Sequence, residues 1–304
     1  MGTNPCLKIT AMQMDPENSP LFGGITGAVL AVGEFEICDG VVLRQTYAHV
    51  MSPYILALRR PEQGQHHPGP WKAVQGGMWM DIEIEIGLRQ GIRPTGFDRL
   101  NTLWWILALL RLASGASLKL PVISDTSFSA IADGSTEPGL WPIETLPRQF
   151  FTVLDPPQTI ENEHLCWVGE AFRPGAELMN DPVFGRAFCA FDGAIWAHSA
   201  GSALITIWAA LEALVRPGER EITRGLASSL AAFLEPPGPR RDRMFGRVKS
   251  LYQARGGSAH ASRSPEGQQL LASFEIGRQV FVSCINKAAL PKFAELQEMW
   301  RQGK

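Results

Sequence analysis

An arginine and a histidine near the C-terminal end of the chain could together cleave a phosphodiester bond. They are Arg255 and His260, in the segment Leu251-Tyr252-Gln253-Ala254-Arg255-Gly256-Gly257-Ser258-Ala259-His260. A guanidinium is a permanent cation that can hold a phosphate through two hydrogen bonds. An imidazole can take up or release a proton near neutral pH. The pair therefore predicts phosphate-directed chemistry that needs no metal ion and no cofactor.

The spacing of this pair also has a purely structural interpretation. On an unbroken helix, residues five positions apart lie about 140° apart around the axis, so Arg255 and His260 would not face one target. Gly256 and Gly257 weaken a helix and let the backbone bend. Arg255 could then end one helix while His260 lies in the turn beyond. The same residues are typical of an ordinary helix end, where arginine meets the negative end of the dipole and glycine terminates it. Spacing alone favours this second interpretation.

The sequence elements around Arg255 and His260 favour the functional interpretation of the pair. Leu211-Glu212 lies in an apolar helical pattern, two further helical patterns follow, and then come Leu251-Tyr252, Arg255 and His260, before a long final helix. This order resembles the HEPN superfamily, most closely its Apea-like branch, over roughly residues 180–290. The resemblance implies a helical bundle that dimerises. It also implies metal-independent cleavage of RNA, often in antiviral defence of the abortive-infection or toxin type.

Carried onto this chain, the resemblance makes Arg255 and His260 the catalytic pair and RNA the partner. The ribose 2′-hydroxyl would be the nucleophile, His260 would accept its proton, and Arg255 would stabilise charge on the phosphate. Glu212, a carboxylate in an apolar helix, would lie near the motif and orient Arg255. An ordinary salt bridge, or exposure at a helix end, remains an open alternative for Glu212. Tyr252 shares the apolar stripe of its helix and is assigned to the core.

Two positions depart from the pattern of active relatives. Gly256 stands where many of them carry a polar residue, and Ala261 stands where the branch often has glycine. The alternative function is therefore a catalytically inactive HEPN module for dimerisation or nucleotide binding. A third hypothesis, a small-molecule enzyme in the N-terminal half, needs a convergent polar pocket for which residues 20–150 give no sequence signal.

The composition is that of an ordinary globular protein. The 304 residues are 45% hydrophobic and 19% charged, with a net charge of −2, although residues 180–304 carry 16 basic and 11 acidic residues. Five widely spaced cysteines without a CxxC pair predict reduced thiols. The most apolar run, residues 103–110, is too short to cross a bilayer. We therefore expect a cytoplasmic protein with no membrane association.

The hydrophobic patterns predict an α+β domain followed by an all-α HEPN-like bundle. We assign residues 1–165 to the α+β domain, with a possible sensor role, and residues 180–304 to the bundle. In residues 79–86 isoleucine alternates with carboxylates, which predicts a strand with one buried face and one solvated face. A helix is expected at 97–113, and helices fill most of the chain after 183, one of them capped by Ser202.

Other residues that could carry chemistry have simpler interpretations. His66-His67 lacks further ligands at metal-binding spacing and is assigned to a surface loop. Gly23-Gly24-Ile25-Thr26-Gly27 lacks the context of a dinucleotide site and is assigned to a turn. The basic segment 240–243 could contact RNA phosphates or lie solvated. Trp104 and Trp105 are core candidates.

Overall fold

The structure, a computed structural model, describes residues 20–134, 137–144, 158–218, 221–259 and 267–302, with the backbone alone for 256–259. The strands are β1 Leu21–Thr26, β2 Ala28–Leu30, β3 Glu34–Cys38, β4 Val41–Ala57, β5 Trp71–Leu88, β6 Lys119–Ser124, β7 Leu140–Pro142 and β8 Gln158–Ile160. The helices are α1 Arg99–Ser114, α2 Phe128–Ala132, α3 Asn162–Met179, α4 Pro182–Gly193, α5 Ala200–Val215, α6 Ile222–Leu234, α7 Pro239–Ala259, α8 Gly267–Lys287 and α9 Phe293–Gln302.

The N-terminal part is built on a six-stranded antiparallel sheet. Its strand order is β3-β4-β5-β1-β6-β7, while β2 and β8 form a separate parallel pair. The long strands β4 and β5 pair along most of their length, and their outer ends extend beyond the neighbouring strands. The mixed N-terminal part and the helical C-terminal part agree with the predicted sequence of an α+β part and an all-α part, whereas the HEPN-like identity of the helical part stays a prediction.

Helix α1 joins the two parts through a common core. Asp98 caps its start by accepting from the Asn101 amide at 2.6 Å, and Gly115 ends it in the left-handed conformation that glycine tolerates. The run 103–110 between these caps is buried all round, as expected for a helix between two layers. Since α1 contacts the sheet as well as α3, the buried residues of both parts form one continuous cluster. The domain boundary between 165 and 180 stays a prediction.

The strand of alternating isoleucines is confirmed, but its carboxylate face is not fully solvated. Ile82, Ile84 and Ile86 are all buried. Glu85 is also buried, because its Oε2 accepts from the Phe128 amide of α2 at 2.7 Å and its Oε1 from Arg44 Nη1 at 3.3 Å. The short helix α2 covers this face of the sheet, and its sequence gave no strong helical pattern. The expectation of a wholly solvated carboxylate row is therefore wrong at Glu85.

The helical part follows the predicted order closely. The breaks at Pro217-Gly218 and Pro236-Pro237-Gly238 separate α5, α6 and α7, as the helix-breaking residues predict. Helix α5 begins earlier than predicted, since the hydroxyl of Ser199 accepts from the Ser202 amide at 3.1 Å. Ser199, and not Ser202, is therefore the N-cap. Across the described ranges, no helix has both the length and the apolar character needed to span a membrane.

Candidate functional site

Glu212 and the pair of Tyr252 and Arg255 meet where helix α7 packs against α5. Glu212 lies in the last turn of α5, and Tyr252 and Arg255 lie three residues apart on α7. Residues at this spacing share one face of a helix, so both side chains can reach the same partner. Val248 and Tyr252 anchor this face of α7 in the core. The packing of α7 therefore brings Arg255 to Glu212.

Glu212 Oε1 is the shared acceptor of this cluster. The Tyr252 hydroxyl donates to it at 3.0 Å, and Arg255 Nη1 donates to it in an ion pair. The guanidinium carbon of Arg255 also lies 4.5 Å from the centre of the Tyr252 ring. This distance permits a cation–π contact. The three side chains, called here the Glu212–Tyr252–Arg255 cluster, thus hold the guanidinium by charge, by a hydrogen bond and by ring contact.

The cluster lies at the rim of the core, neither sealed nor fully exposed. The side chains of Glu212 and Arg255 are 28% and 27% exposed, whereas Tyr252 is 8% exposed. Burial raises the pKa of the Tyr252 hydroxyl, and the negative charge of Glu212 raises it further. Tyr252 therefore stays neutral near neutral pH, and its hydroxyl donates a hydrogen bond to Glu212. The edge of the guanidinium that faces solvent remains accessible to a ligand.

The position of the Tyr252 ring is fixed by packing against Trp208. Trp208 of α5 packs edge-on against it, with ring centres 5.4 Å apart, and the Trp208 indole donates to the Ser273 hydroxyl of α8 at 3.2 Å. Three helices, α5, α7 and α8, thus determine where the Tyr252 ring lies. Because Arg255 rests on that ring, its position is set by the bundle and not by a loop.

Helix α7 continues through both glycines as far as Ala259. The expected helix end at Arg255 is therefore wrong. Each glycine costs about 1 kcal/mol relative to alanine inside a helix, and this cost does not end a helix that already has several nucleated turns. His260 lies outside the described residues, so its approach to Arg255 stays a prediction.

The geometry allows Arg255 to bind an anion while it stays paired with Glu212. The ion pair uses Nη1, and within the described part of the chain no further acceptor binds the remaining N–H groups of this guanidinium. A guanidinium presents its donors in a planar fork that suits a phosphate. The Glu212 carboxylate offsets part of the positive charge, so affinity for a phosphate would be lower than that of an unpaired arginine.

Tyr252 is the member of this cluster for which no site role was predicted. The assignment to the core holds for its ring, but its hydroxyl reaches Glu212. Tyrosine commonly buries its ring and keeps its hydroxyl for a polar partner. The three-residue spacing from Tyr252 to Arg255 was the signal that could have predicted this role.

A second polar cluster, which the sequence did not reveal, is buried between the two parts of the chain. Arg111 Nη1 lies 3.0 Å from both carboxylate oxygens of Asp192, and its Nη2 lies 3.2 Å from Glu144. The Trp104 indole also donates to Asp192 at 3.0 Å. Burial opposes the charge of Arg111, but the two carboxylates raise its pKa above the ordinary value. The adjacent cavity holds only about 30 Å³, so the cluster is a structural link.

A polar groove lies far along the chain from Arg255. It has a volume of about 350 Å³ and lies between β3, the segment 91–95 and α3. The thiol of Cys38 lines it, but burial raises the pKa of this thiol above 9.0. A thiol with a raised pKa is a poor nucleophile near neutral pH. Cys38 therefore does not make this groove a nucleophilic site.

The remaining candidates have structural positions. Trp104 and Trp105 are buried, as predicted, and His66 and His67 are exposed in the connection from β4 to β5. The glycine segment 23–27 belongs mostly to β1 and not to a turn.

The basic segment 240–243 is not a solvated loop, since it lies in the first turn of α7. Arg241 is buried there, where its Nε and Nη1 donate at 3.0 Å to the carbonyls of Glu235 and Met299.

The cysteines only partly follow expectation. Cys38, Cys166 and Cys284 are free thiols, whereas Cys189 on α4 is disulfide-bonded. The prediction that all thiols are reduced is therefore wrong at Cys189.

Comparison of the chain with protein-family models, with curated proteins and with solved structures gives no match. The resemblance to the HEPN superfamily therefore rests on the residues of the motif and on their geometry.

Proposed function

We propose that the protein is a metal-independent endoribonuclease of HEPN type. The observation that carries the proposal is the Glu212–Tyr252–Arg255 cluster. Motif residues that lie 40 and 43 positions apart in sequence share one carboxylate oxygen there. A chance match to short motifs gives no reason for these residues to meet. Their meeting supports the role that the resemblance gives to Glu212, which is to orient Arg255.

The proposed reaction is an internal transesterification of RNA. The 2′-oxygen forms a bond to the adjacent phosphorus while the bond from phosphorus to the 5′-oxygen breaks. The 2′-hydroxyl proton passes to the imidazole of His260, and the departing 5′-oxygen takes up a proton from this imidazolium or from water. Arg255 stabilises the negative charge that builds on the phosphoryl oxygens. The products are a 2′,3′-cyclic phosphate and a 5′-hydroxyl.

The proposal also includes the binding partner, the oligomeric state, the biological role and the cellular compartment. RNA is the partner, two copies of the chain associate, and cleavage serves antiviral defence. The three free thiols agree with the cytoplasm, whereas the disulfide of Cys189 argues for a more oxidising compartment. Mass spectrometry after thiol trapping in intact cells decides this point, since a reduced Cys189 would support the cytoplasm.

One observation favours the alternative, a catalytically inactive HEPN scaffold. Arg255 already has an anionic partner in Glu212, so its charge can serve to tie α7 to α5. In that case substitution of Arg255 would reduce stability and change no reaction. Gly256, where active relatives often carry a polar residue, points the same way.

The test uses a labelled single-stranded RNA with EDTA present and a matched RNA in which every 2′-hydroxyl is methylated. We expect cleavage of the first to fragments with a 2′,3′-cyclic phosphate, and no cleavage of the second. Cleavage of the methylated RNA would overturn the mechanism, since it lacks the nucleophile. Absence of cleavage of either RNA would support the scaffold.

A further inference from the structure

The outer ends of β4 and β5 form a two-stranded arm beside which the described residues place no further strand. In this arm, defined here as residues 47–81, every residue from Met51 to Arg60 is exposed. An isolated two-stranded hairpin is only marginally stable in water. Its large apolar side chains would also favour association if they stayed uncovered. The arm is therefore a surface that a partner should cover.

One face of the arm carries an apolar stripe. The stripe, defined by Tyr47, Met51, Ile55, Trp71 and Trp79, is 63–72% exposed at each of its members. Register places Trp79 opposite Met51 and Trp71 opposite Ala57, and opposite residues share a face. Met51, Ile55 and Ala57 share a face of β4, because side chains two residues apart in a strand point to the same side. The register shift between Pro53 and Ile55 does not change this, since its extra residues lie in β5.

The opposite face of the arm is already partnered at its base. Val50 and Met80, which lie opposite each other, pack with Ala48 against the small cluster that contains Ile82 and Phe128. The stripe lies on the other face, next to the pair in which His49 Nδ1 contacts Asp81 Oδ1 at 2.7 Å. Toward the tip, however, the opposite face also exposes Tyr54, Leu56 and Leu58. The stripe is distinguished from that face by its two tryptophans and by the charged pair at its base.

The charges along this side are arranged in a self-complementary way. Strand β4 carries no Asp, Glu, Lys or Arg between Arg44 and Arg59. Arg59, two residues beyond the end of β4, lies with Arg60 toward the tip of the arm, whereas Asp81, whose side chain is 53% exposed, marks the base. Its hydrogen bond from His49 lowers the pKa of Asp81, so this carboxylate is an anion near neutral pH. A surface with a cation at one end and an anion at the other matches its own copy turned end to end.

The pairing of β4 with β5 specifies which residues of the two copies would face each other. A two-fold axis at Tyr54 exchanges position 51 with 57 and position 49 with 59. Trp79, opposite Met51, then lies over Trp71 of the second copy, which is opposite Ala57. Arg59 lies over the pair of His49 and Asp81. A two-fold interface requires each such contact to occur twice, and this arrangement satisfies that condition.

The exposed area is also of the right size for a small dimer. With about 200 Å² for each aromatic side chain, the three rings of the stripe expose roughly 400 Å². Met51 and Ile55 raise this to about 600 Å², or about 1,200 Å² over two copies, which is the lower limit of stable protein interfaces. RNA fits this surface less well. It would leave the aliphatic side chains uncovered, and the cations of the arm, Arg59, Arg60 and Lys72, lie toward its tip and not along the stripe.

We propose that two copies of this chain associate through the apolar stripes of their arms, packed face to face with antiparallel strands. This inference rests on the proposed function only for the association of two copies, and not for any chemistry. It assigns the dimer contact to the arm instead of the helical bundle.

Sedimentation velocity of the full chain tests the proposal with two charge variants. Arg59→Asp should weaken the dimer at least 10-fold, because two carboxylates then meet at both ends, and Asp81→Arg should do the same with two cations. An equimolar mixture should form a heterodimer, since both contacts are then attractive. Trp71→Ser with Trp79→Ser should give monomers, whereas Leu271→Ser, at an exposed position on α8, should leave the dimer intact.

Three results would overturn the proposal. They are a monomeric wild-type chain, a dimer that all arm variants retain, and a mixture that stays monomeric. Loss of RNA binding by the arm variants of a monomeric chain would instead assign the stripe to RNA. Cleavage assays on Arg255→Ala measure the proposed activity separately, because this substitution is remote in sequence from the arm and should leave sedimentation unchanged.

Discussion

Glu212 on α5 forms an ion pair with Arg255 on α7, across 43 positions of sequence. The same carboxylate oxygen accepts the Tyr252 hydroxyl. A site built in this way can be dissected by removing one donor at a time.

Tyr252→Phe removes the hydroxyl and keeps the ring on which Arg255 rests. We expect the free energy of unfolding to fall by about 1 kcal/mol, since a typical intramolecular hydrogen bond contributes that much. In a cycle with Glu212→Gln, the two losses should be non-additive by about 0.5 kcal/mol or more, because the residues share one contact. Urea titration measures both quantities.

Tyr54→Phe is the matched control, since it deletes a hydroxyl from an exposed ring. It should change stability by less than about 0.5 kcal/mol. Additive losses for Tyr252 and Glu212 would mean that their hydrogen bond does not contribute to stability in solution.

Arg111→Met should be far more destabilising than the same substitution on the surface. It leaves the carboxylates of Asp192 and Glu144 buried without their cation, and breaking a buried pair in this way costs about 3–5 kcal/mol. Arg89→Met breaks the exposed pair with Asp39 and should cost less than about 1 kcal/mol. Similar midpoints for the two variants in thermal unfolding would contradict the buried link.

The ion pair of Glu275 with Arg278 should make stability depend on pH in the acid range. Burial tends to raise the pKa of Glu275, but hydrogen bonds from Arg278 and Gln279 outweigh it and hold this pKa below 4.5. The folded state therefore gains stability from the ionised carboxylate above pH 4.5 and loses it as the pH falls through the lower folded-state pKa.

Glu275→Gln isolates this contribution. Because the Glu275 side chain is 34% exposed, we expect a difference from wild type of less than about 1 kcal/mol at pH 7, which shrinks as the pH falls through the folded-state pKa. Denaturant titration at several pH values measures it. A difference that grows toward low pH would contradict the sign of the shift.

The free thiols should differ widely in reactivity. Burial raises the pKa of the Cys284 thiol to about 12, whereas Cys166 is exposed on α3. At pH 8 only roughly one in 10,000 Cys284 side chains would then be a thiolate, which is the reactive form. We expect iodoacetamide to label Cys166 within minutes and Cys284 only after unfolding. Peptide mass spectrometry measures both, and equal labelling in the folded state would contradict this account.

Local patterns were enough to predict much of the fold. The apolar run 103–110 with Asp98 before it predicted α1, and the proline-glycine breaks predicted where α5 and α6 end. The motif order predicted that Glu212 and Arg255 belong together. These features depend on neighbours in sequence or on short repeating patterns.

What the sequence could not predict depends on distant partners. Glu85 was assigned to a solvated face, because α2, which covers it, lies 43 residues farther along the chain. The buried ion pair of Arg111 could not be predicted, because its partner Asp192 follows 81 positions later. The stop expected at Gly256 failed for a different reason, since glycine lowers helix stability without forbidding a helix.

The central claim is tested most directly by the rate of RNA cleavage in EDTA by four variants. We expect Arg255→Ala and His260→Ala each to lower this rate at least about 100-fold, with sedimentation and circular dichroism unchanged. Lys249→Ala, an exposed cation on the same helix, and His198→Ala, an exposed histidine, should keep wild-type rates. Cleavage by wild type that both Arg255→Ala and His260→Ala retain would contradict the assignment of this pair.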